Sequence, residues 1–306
     1  MEYEYIFPRN IKNTQNIYEF ICVFWNTYKS KKNSTININF KNTQWIDPNL
    51  TSVLGLVLEE IKSRNNKIFL KGLSIPLIKL LCSNEFIQSE NLKKYMTVNS
   101  SLITYNTFDG ENRDDFKAYI NNQLTSLYKD SIDMQILIKR FIEIFINVKM
   151  HARRNTYINK YGNKEIFSSG YYNKLDNILF FSIANQGQTF KENIFKNINY
   201  NSNLESDYIA WAVKKGSSTR AEDTPGGLGL YMLNEIMQEL NGDLIILSGR
   251  GYWEKSKSIV KSTDFTCKFP GSVITVKIPV KNIHNINNEI FEQSRVLTID
   301  DLLGGH

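Results

Sequence analysis

SIDMQILIKRFIEIFINVKMHARR, residues 131 to 154, is the stretch that decides the fold of this chain. Its apolar residues recur at steps of three and four, which predicts one long helix with a wide apolar face. Glu143, Asn147 and His151 are spaced four apart, so they share one helical face beside the apolar stripe. Alone, this polar column is typical of the solvated side of a helix. A carboxylate, an amide and an imidazole in register can also serve as base, metal ligand and orienting group.

The composition indicates a folded protein with no membrane segment. The chain has 306 residues, 42% of them apolar, which is enough for two modest cores. The net charge of +6 comes without a long basic block, so nucleic acid is not favoured as a partner. Three scattered cysteines and three histidines give no zinc pattern and fit a reducing compartment. With no signal-like N-terminus and no bilayer-spanning apolar run, we expect a cytoplasmic protein.

The first hundred residues alternate between helix and strand patterns, which predicts a small α/β domain with partly parallel strands. Residues 96 to 115 are polar and include the turn Asp109-Gly110, so we place a domain boundary near residue 105. The predicted elements are helices at Asn16–Lys29, after Asp47 or Asn49, and at Ser74–Leu81, and strands at Ile36–Phe40 and Lys67–Leu70.

Residues 30 to 95 resemble the STAS domain, the fold of anti-sigma factor antagonists. In that family a strand ends in an Asp-Ser-Ser-Gly-Leu turn that opens a helix and presents a serine for phosphorylation. The matching turn here is Asp47-Pro48-Asn49-Leu50-Thr51, so Asn49 stands where the serine would be. Thr51 and Ser52 follow within the next helical turn. The resemblance implies that residues 1–105 form a STAS-like regulatory or docking domain without the usual phospho-acceptor.

The second half of the chain combines strand patterns with glycine-rich turns. Glycines before a helix let the backbone approach phosphates, and the N-terminus of that helix attracts negative charge. The predicted elements, in order, are a helix at Asp114–Tyr128, antiparallel strands at Glu165–Tyr172 and Asn177–Ile183, polar helical segments within Lys191–Lys214, the turn Gly226-Gly227-Leu228-Gly229, an apolar helix at Leu230–Leu240, and strands at Asp243–Leu247 and Val273–Pro279.

These motifs, in this order, resemble those of the GHKL ATPases (gyrase, heat-shock chaperone, histidine kinase and mismatch-repair ATPase). Glu143-x-x-x-Asn147-x-x-x-His151 resembles their N-box, with the spacing of the anti-sigma-factor serine kinases. The adenine turn is matched by Asn185-x-Gly187, the lid by Gly216-Ser217-Ser218-Thr219, the glycine box by residues 226–229, and the closing strand by Gly271-Ser272. The resemblance implies a two-domain α/β chain in which residues 106–281 form an α/β sandwich, a mixed sheet layered against helices, before a polar tail at 282–306.

The resemblance also implies ATP and Mg²⁺ as cofactors. Asn147 would hold Mg²⁺, and Glu143 would act as the catalytic base that polarises a water or an acceptor hydroxyl. Asn185 replaces an Asp of the family, and Thr189 replaces the second glycine of its motif, so we expect weaker nucleotide affinity without charge assistance. The other implied nucleotide-binding residues are His151, Gly187, Ser218, Thr219, Gly226, Gly227, Leu228, Gly229 and Ser272.

Three functions remain open at this point. The first is a serine/threonine kinase of the anti-sigma type, and the second is an ATP-dependent switch with slow hydrolysis. The third is a non-catalytic binding scaffold, because both Asn49 and Asn185 replace functional residues. We expect a protein partner that contacts the STAS-like domain or the tail, no membrane partner, and leave a homodimer open.

Overall fold

The computed structural model describes residues 1–109, 113–127, 135, 137–139, 141–142, 144–146, 164–198, 200–217 and 228–285. Every described position between 135 and 146 is helical, as the apolar periodicity predicts. Leu137, Phe141 and Phe145 are fully buried there. Phe141 stacks on Phe181 with ring centroids 4.4 Å apart. Full burial of a side chain of this size stabilises the fold by roughly 1.5–3 kcal/mol.

The N-terminal unit is built on a parallel sheet of three strands in the order β1-β3-β5. Its predicted helices and strands are confirmed within a few residues, and so is the parallel pairing. The strands β1 and β2, the short strand β4 and the pairing of β2 with β4 were not predicted. The elements are β1 (Glu2–Ile6), β2 (Asn10–Ile11), α1 (Gln15–Tyr28), β3 (Thr35–Asn39), β4 (Trp45–Ile46), α2 (Leu50–Lys62), β5 (Lys67–Lys71) and α3 (Ile75–Ser83).

The rest of the described chain is built on a sheet of seven strands in the order β11-β10-β9-β12-β8-β7-β6. The strands are β6 (Leu102–Asp109), β7 (Lys164–Asn173), β8 (Ile178–Gln186), β9 (Asp243–Ser248), β10 (Gly251–Ser256), β11 (Ile259–Asp264) and β12 (Gly271–Pro279). The helices are α4 (Arg113–Leu127), α5 (Phe190–Ile198), α6 (Glu205–Ala212) and α7 (Leu228–Glu239).

The expected mixed sheet is wrong for the described strands, because every neighbouring pair in the large sheet is antiparallel. Short turns join β7 to β8, β9 to β10, and β10 to β11, and such hairpins force antiparallel pairing. The last strand, β12, lies between β8 and β9 and runs opposite to both. The architecture is nevertheless α/β, with helices packed on the sheet.

The polar linker predicted at residues 96–115 contains an unpredicted strand. Leu102–Asp109 forms β6, an edge strand that pairs with β7 through two register shifts. Its apolar residues Leu102, Ile103 and Phe108 are buried. The boundary predicted near residue 105 therefore falls inside a strand of the large sheet.

The large sheet lies between two helical layers. One face carries Phe181 and Ile183 and packs against α4, the helical positions between 135 and 146, and α7. The opposite face carries Phe167, Ala184 and Val273 and shares one core with α1 and α2 of the N-terminal unit. We call these the front face and the back face. The N-terminal unit is thus packed against the back of the sheet.

The chain after β12 continues along the body of the protein. Residues Val280–Asn285 form a 3-10 turn, and Ile283 is buried in the front core. Asn282 donates from Nδ2 to the carbonyl oxygen of Leu240 at 2.7 Å. The predicted tail thus begins as a packed segment, and its residues 286–306 lie outside the described part of the chain.

Candidate functional site

Asn185, the residue predicted to bind adenine, lies at the end of β8 on the front face. It is 1% exposed. Strand alternation places its side chain on the same face as Phe181 and Ile183. Its Nδ2 donates to the carbonyl oxygen of Gln186 at 3.1 Å. Gly187, two residues further along the chain, has a φ of 132°, a backbone conformation that favours glycine.

A row of polar side chains extends from Asn185 across the neighbouring strands. Ser272 of β12 pairs with Asn185 on one side and with Ser248 of β9 on the other. The Oγ atoms of Ser272 and Ser248 are 2.7 Å apart, and the backbone N–H of Phe190 donates to Ser248 at 3.0 Å. We call Asn185, Ser272 and Ser248 the polar row. An amide and two hydroxyls both donate and accept hydrogen bonds, as the edge of a nucleobase requires.

Ser248 was missed in the sequence, whereas Asn185 and Ser272 were predicted from their motifs. The sequence contains only a weak indication that Ser248 belongs to the site. Ser248 is the polar residue that ends the apolar run DLIIL of β9. Only the register of β9 against β12 places it beside Ser272.

Glycines bring the backbone close together behind the polar row. Gly271 has a φ of 151°, and a Cβ built on it would lie 2.0 Å from the carbonyl oxygen of Asn185. Gly249 has a φ of 58°, and its N–H donates to the carbonyl oxygen of Gly271 at 3.2 Å. The sequence motif singled out Gly271, and the structure shows that close backbone approach to Asn185 is its local reason.

Thr189 begins α5 with a reciprocal pair of hydrogen bonds. Its N–H donates to Glu192 Oε2 at 2.9 Å, and the N–H of Glu192 donates to Thr189 Oγ1 at 3.2 Å. This is a capping box, which satisfies two helix-end donors at once. The residue that replaces the second glycine of the family motif therefore has a local structural role here.

Replacing Thr189 with alanine is expected to lower the free energy of unfolding by about 1 kcal/mol, because α5 loses its N-cap. Urea unfolding followed by circular dichroism measures the change. Glu192→Ala and the double variant complete the cycle, and the combined loss should be smaller than the sum of the single losses. Strictly additive losses, or an unchanged midpoint for Thr189→Ala, would contradict the capping role.

The glycine box is described only at its last two residues. Leu228 and Gly229 open α7, while Gly226 and Gly227 lie outside the described residues. Downstream, Leu233 and Ile236 pack in the front core with Ile183. The helix that follows the box therefore belongs to the same face of the sheet as the polar row, as a helix N-terminus that binds phosphate would require.

The other predicted site residues lie outside the described part of the chain. Among the residues described, no group of three or more His, Cys, Asp or Glu side chains is arranged to hold a metal. The predicted Mg²⁺ ligand Asn147 lies outside the described part. Of the predicted lid, only Gly216 and Ser217 are described. Gly216 has a φ of 78°, and Ser217 Oγ donates to the carbonyl oxygen of Trp211 at 2.7 Å. The remaining predictions outside the described residues are Glu143, His151, Ser218 and Thr219.

Basic residues that are far apart in the sequence border the same end of the sheet. Glu205, 4% exposed in its side chain, has Arg250 Nε at 3.3 Å, Lys268 Nζ at 3.8 Å and Lys191 Nζ at 3.9 Å. A Cβ at Gly249, the residue after Ser248, would touch the Glu205 carboxylate, so the cluster lies against the polar row. Arg250 Nη2 also lies 3.9 Å from Asp264 Oδ2, so three cations face two carboxylates and leave one positive charge in excess beside the row.

The turn that resembles the antagonist phosphorylation site lies on the back face. Asn49, Thr51 and Ser52 are all fully buried. Thr51 Oγ1 bonds to the carbonyl oxygen of Pro48 at 2.7 Å, and Ser52 Oγ to that of Asn49 at 2.8 Å. Thr51 and Ser52 are thus helix-start residues, and none of the three is accessible for phosphorylation in this structure.

Comparison with known proteins gives no independent family for the chain. No protein-family model matches it, and no curated protein matches it significantly. Among the residues described, no helix has both the length and the apolarity to cross a bilayer. The resemblance to the GHKL ATPases therefore rests on the quoted sequence motifs.

Proposed function

We propose that this chain is a GHKL-type regulator that binds Mg-ATP at the polar row and uses its γ-phosphate. The observation that carries the proposal is the register of Asn185 with Ser272 and Ser248 on the front face. That face also packs the helix opened by Leu228 and Gly229. A base-recognition edge and a phosphate-binding helix end on one face are what the proposed site needs.

Each group has a definite task in this proposal. The Asn185 amide accepts from the adenine 6-amino group or donates to its ring nitrogen, as an amide can do both. Asn147 holds Mg²⁺, and Glu143 polarises the attacking oxygen. Lys191, Arg250 and Lys268 outnumber the two carboxylates beside them, Glu205 and Asp264, which favours the approach of an anionic nucleotide.

The phosphoryl acceptor in this proposal is a hydroxyl on a separate protein. Burial of Asn49, Thr51 and Ser52 argues against an acceptor in the turn of the N-terminal unit. The same burial favours a second candidate, an ATP-dependent switch in which water is the acceptor and the docked N-terminal unit responds to the bound nucleotide. An assay with γ-labelled ATP separates the kinase from the switch. A kinase transfers the label to a partner protein, whereas a switch releases it only as free phosphate.

We expect wild-type protein to bind Mg-ATP in a calorimetric titration and to turn it over. Glu143→Ala should keep the affinity and lose about 10²–10⁴-fold in turnover, because the base acts in the transition state. Asn147→Ala should lose the Mg²⁺-dependent part of the affinity.

The control for both variants is Asn203→Ala, a change at an exposed residue between α5 and α6. It should match wild type in affinity and turnover. Absence of Mg-ATP binding by the wild type would overturn the proposed function. Full turnover by Glu143→Ala would remove Glu143 from its catalytic role.

A further inference from the structure

A closed ring of hydrogen bonds joins the N-terminal unit to the back of the large sheet. Asn49 Nδ2 donates to Ser182 Oγ at 2.7 Å, and Ser182 Oγ is 2.7 Å from Thr275 Oγ1. Thr275 Oγ1 is 2.8 Å from the Tyr18 hydroxyl, which donates to Asn13 Oδ1 at 3.2 Å. Asn49 Nδ2 also donates to Asn13 Oδ1 at 2.8 Å, which closes the ring.

The hydrogen bonds of the ring start at Asn49, which donates to both of its neighbours, and end at Asn13, which accepts from both of its own. Because the Asn49 amide donates to Ser182, the Ser182 hydroxyl is free to donate to Thr275. Thr275 then donates to Tyr18, and Tyr18 donates to Asn13. Every hydroxyl donates once and accepts once, so no member is left unsatisfied. All five side chains are 8% exposed or less, and such buried chains of hydrogen bonds strengthen one another.

The ring engages the two strands that carry the predicted adenine site. Ser182 of β8 and Thr275 of β12 are partners in register, as are Asn185 and Ser272. The two pairs are three residues apart along the strands, which is about 10 Å. Three steps of strand alternation put the ring on the back face and the polar row on the front face. Ala184, Val273 and Leu247 are apolar neighbours of the ring on the back face.

We propose that Asn49 and Tyr18 are positioning residues that set nucleotide affinity by holding Ser182 against Thr275. This inference rests on the proposed function. The ring fixes the register of β8 on β12 beside the pair formed by Asn185 and Ser272, and a shift of either strand would separate that pair. Asn49 thus stands at the antagonist serine position as a docking residue, and the N-terminal unit is a fixed part of the site's support.

The test compares two buried serines of the same interface. Ser182→Ala breaks the ring on β8. Ser169→Ala is the matched control, because Ser169 Oγ donates to the Asn49 carbonyl oxygen at 2.9 Å and accepts from the Ser52 N–H at 3.0 Å. Ser169 lies on β7, where no site residue is predicted. Ser182→Ala should weaken Mg-ATP binding about fivefold or more, while Ser169→Ala, with a similar loss of stability, stays within about twofold.

A second pair tests the same hydroxyl chain from β12. Thr275→Val keeps the shape and removes the hydroxyl, so it should weaken Mg-ATP binding as Ser182→Ala does. Thr275→Ser keeps the hydroxyl and should retain the wild-type affinity. If these residues had only a structural role, Mg-ATP affinity would fall in proportion to stability in all four variants. If they position the site, affinity should fall only in Ser182→Ala and Thr275→Val, the two variants that lack a hydroxyl of the ring.

Hydrogen exchange without nucleotide provides a readout that does not need the proposed function. Ser182→Ala should speed exchange of the backbone amides of Asn185 and Gly187 about tenfold relative to Ser169→Ala, since local opening becomes easier. If wild type fails to bind Mg-ATP, the proposed function is wrong. The exchange comparison then still shows whether the ring stabilises the strand end that carries Asn185. Equal exchange and equal affinity in Ser182→Ala and Ser169→Ala would overturn the inference.

Discussion

Replacing Asn49 with aspartate is expected to lower the free energy of unfolding by about 3 kcal/mol or more, because it leaves a charge buried without a cationic partner. Asn49 is fully buried, and its Nδ2 supplies two donors to the ring. An ionised carboxylate has no hydrogen-bond donor to replace them. The neighbouring Asp47 carboxylate already accepts two bonds from Asn13, so a second negative charge adds repulsion.

The loss should also depend on pH in a definite direction. Burial raises the pKa of the introduced carboxylate in the folded state above its value of about 3.9 in the unfolded chain. The folded state then binds more protons, so stability falls as the pH rises through the folded pKa. Urea midpoints of Asn49→Asp should therefore lie closest to wild type near pH 4 and furthest from it at pH 8.

Asn203→Asp is the control, since it adds the same charge at an exposed position. Its free energy of unfolding should lie within about 0.5 kcal/mol of wild type at every pH. Equal stability of Asn49→Asp and Asn203→Asp at pH 8 would show that Asn49 is not a buried docking residue.

Local periodicity was sufficient to predict most helices and the central strands. The patterns around α1, α2, β7 and β8 gave bounds within a few residues, because each has a regular apolar face. The missed strands lack that regularity. Two register shifts interrupt β6, and β11 is an edge strand exposed along most of its length, so neither alternates cleanly.

Non-local pairing could not be predicted in the same way. The position of β12 between β8 and β9 makes the sheet antiparallel, and it depends on contacts far apart in the chain. The docking of the N-terminal unit on the back face depends on Asn13, Ser182 and Thr275, which look like ordinary polar residues in the sequence. For the same reason, motifs predicted Asn185 and Ser272 but missed Ser248 and the basic residues around Glu205.

The two faces of β8 and β12 adjoin the two positions, Asn49 and Asn185, at which this chain departs from the motifs that it resembles. On the back face, the position of the antagonist serine is used for docking by Asn49. On the front face, Asn185 stands where the GHKL motif has an Asp, and we propose that it binds adenine without that charge. The N-terminal unit and the proposed nucleotide site therefore share the same two strands. We expect a conformational change in either one to alter the other through β8 and β12.

Gly271→Ala is expected to be the most damaging small substitution at the proposed site. A Cβ at Gly271 would lie 2.0 Å from the carbonyl oxygen of Asn185, and its φ of 151° disfavours any side chain. Backbone strain and overpacking each cost about 1–3 kcal/mol, so we expect a total loss of about 3 kcal/mol or more. Because the displaced carbonyl belongs to Asn185, Mg-ATP affinity should fall about tenfold, which corresponds to about 1.4 kcal/mol.

Gly242→Ala is a matched control, because Gly242 directly precedes β9 and faces the opposite end of β12 from Gly271. A Cβ at Gly242 would lie 2.6 Å from the carbonyl oxygen of Lys277 in β12, so it also strains the sheet. Urea unfolding should show that both variants are destabilised, whereas calorimetry on the folded proteins should show reduced Mg-ATP affinity for Gly271→Ala alone. If both variants lost affinity in proportion to stability, the backbone contact between Gly271 and Asn185 would have no specific part in nucleotide binding. Loss confined to Gly271→Ala would locate the adenine end of the site at that contact.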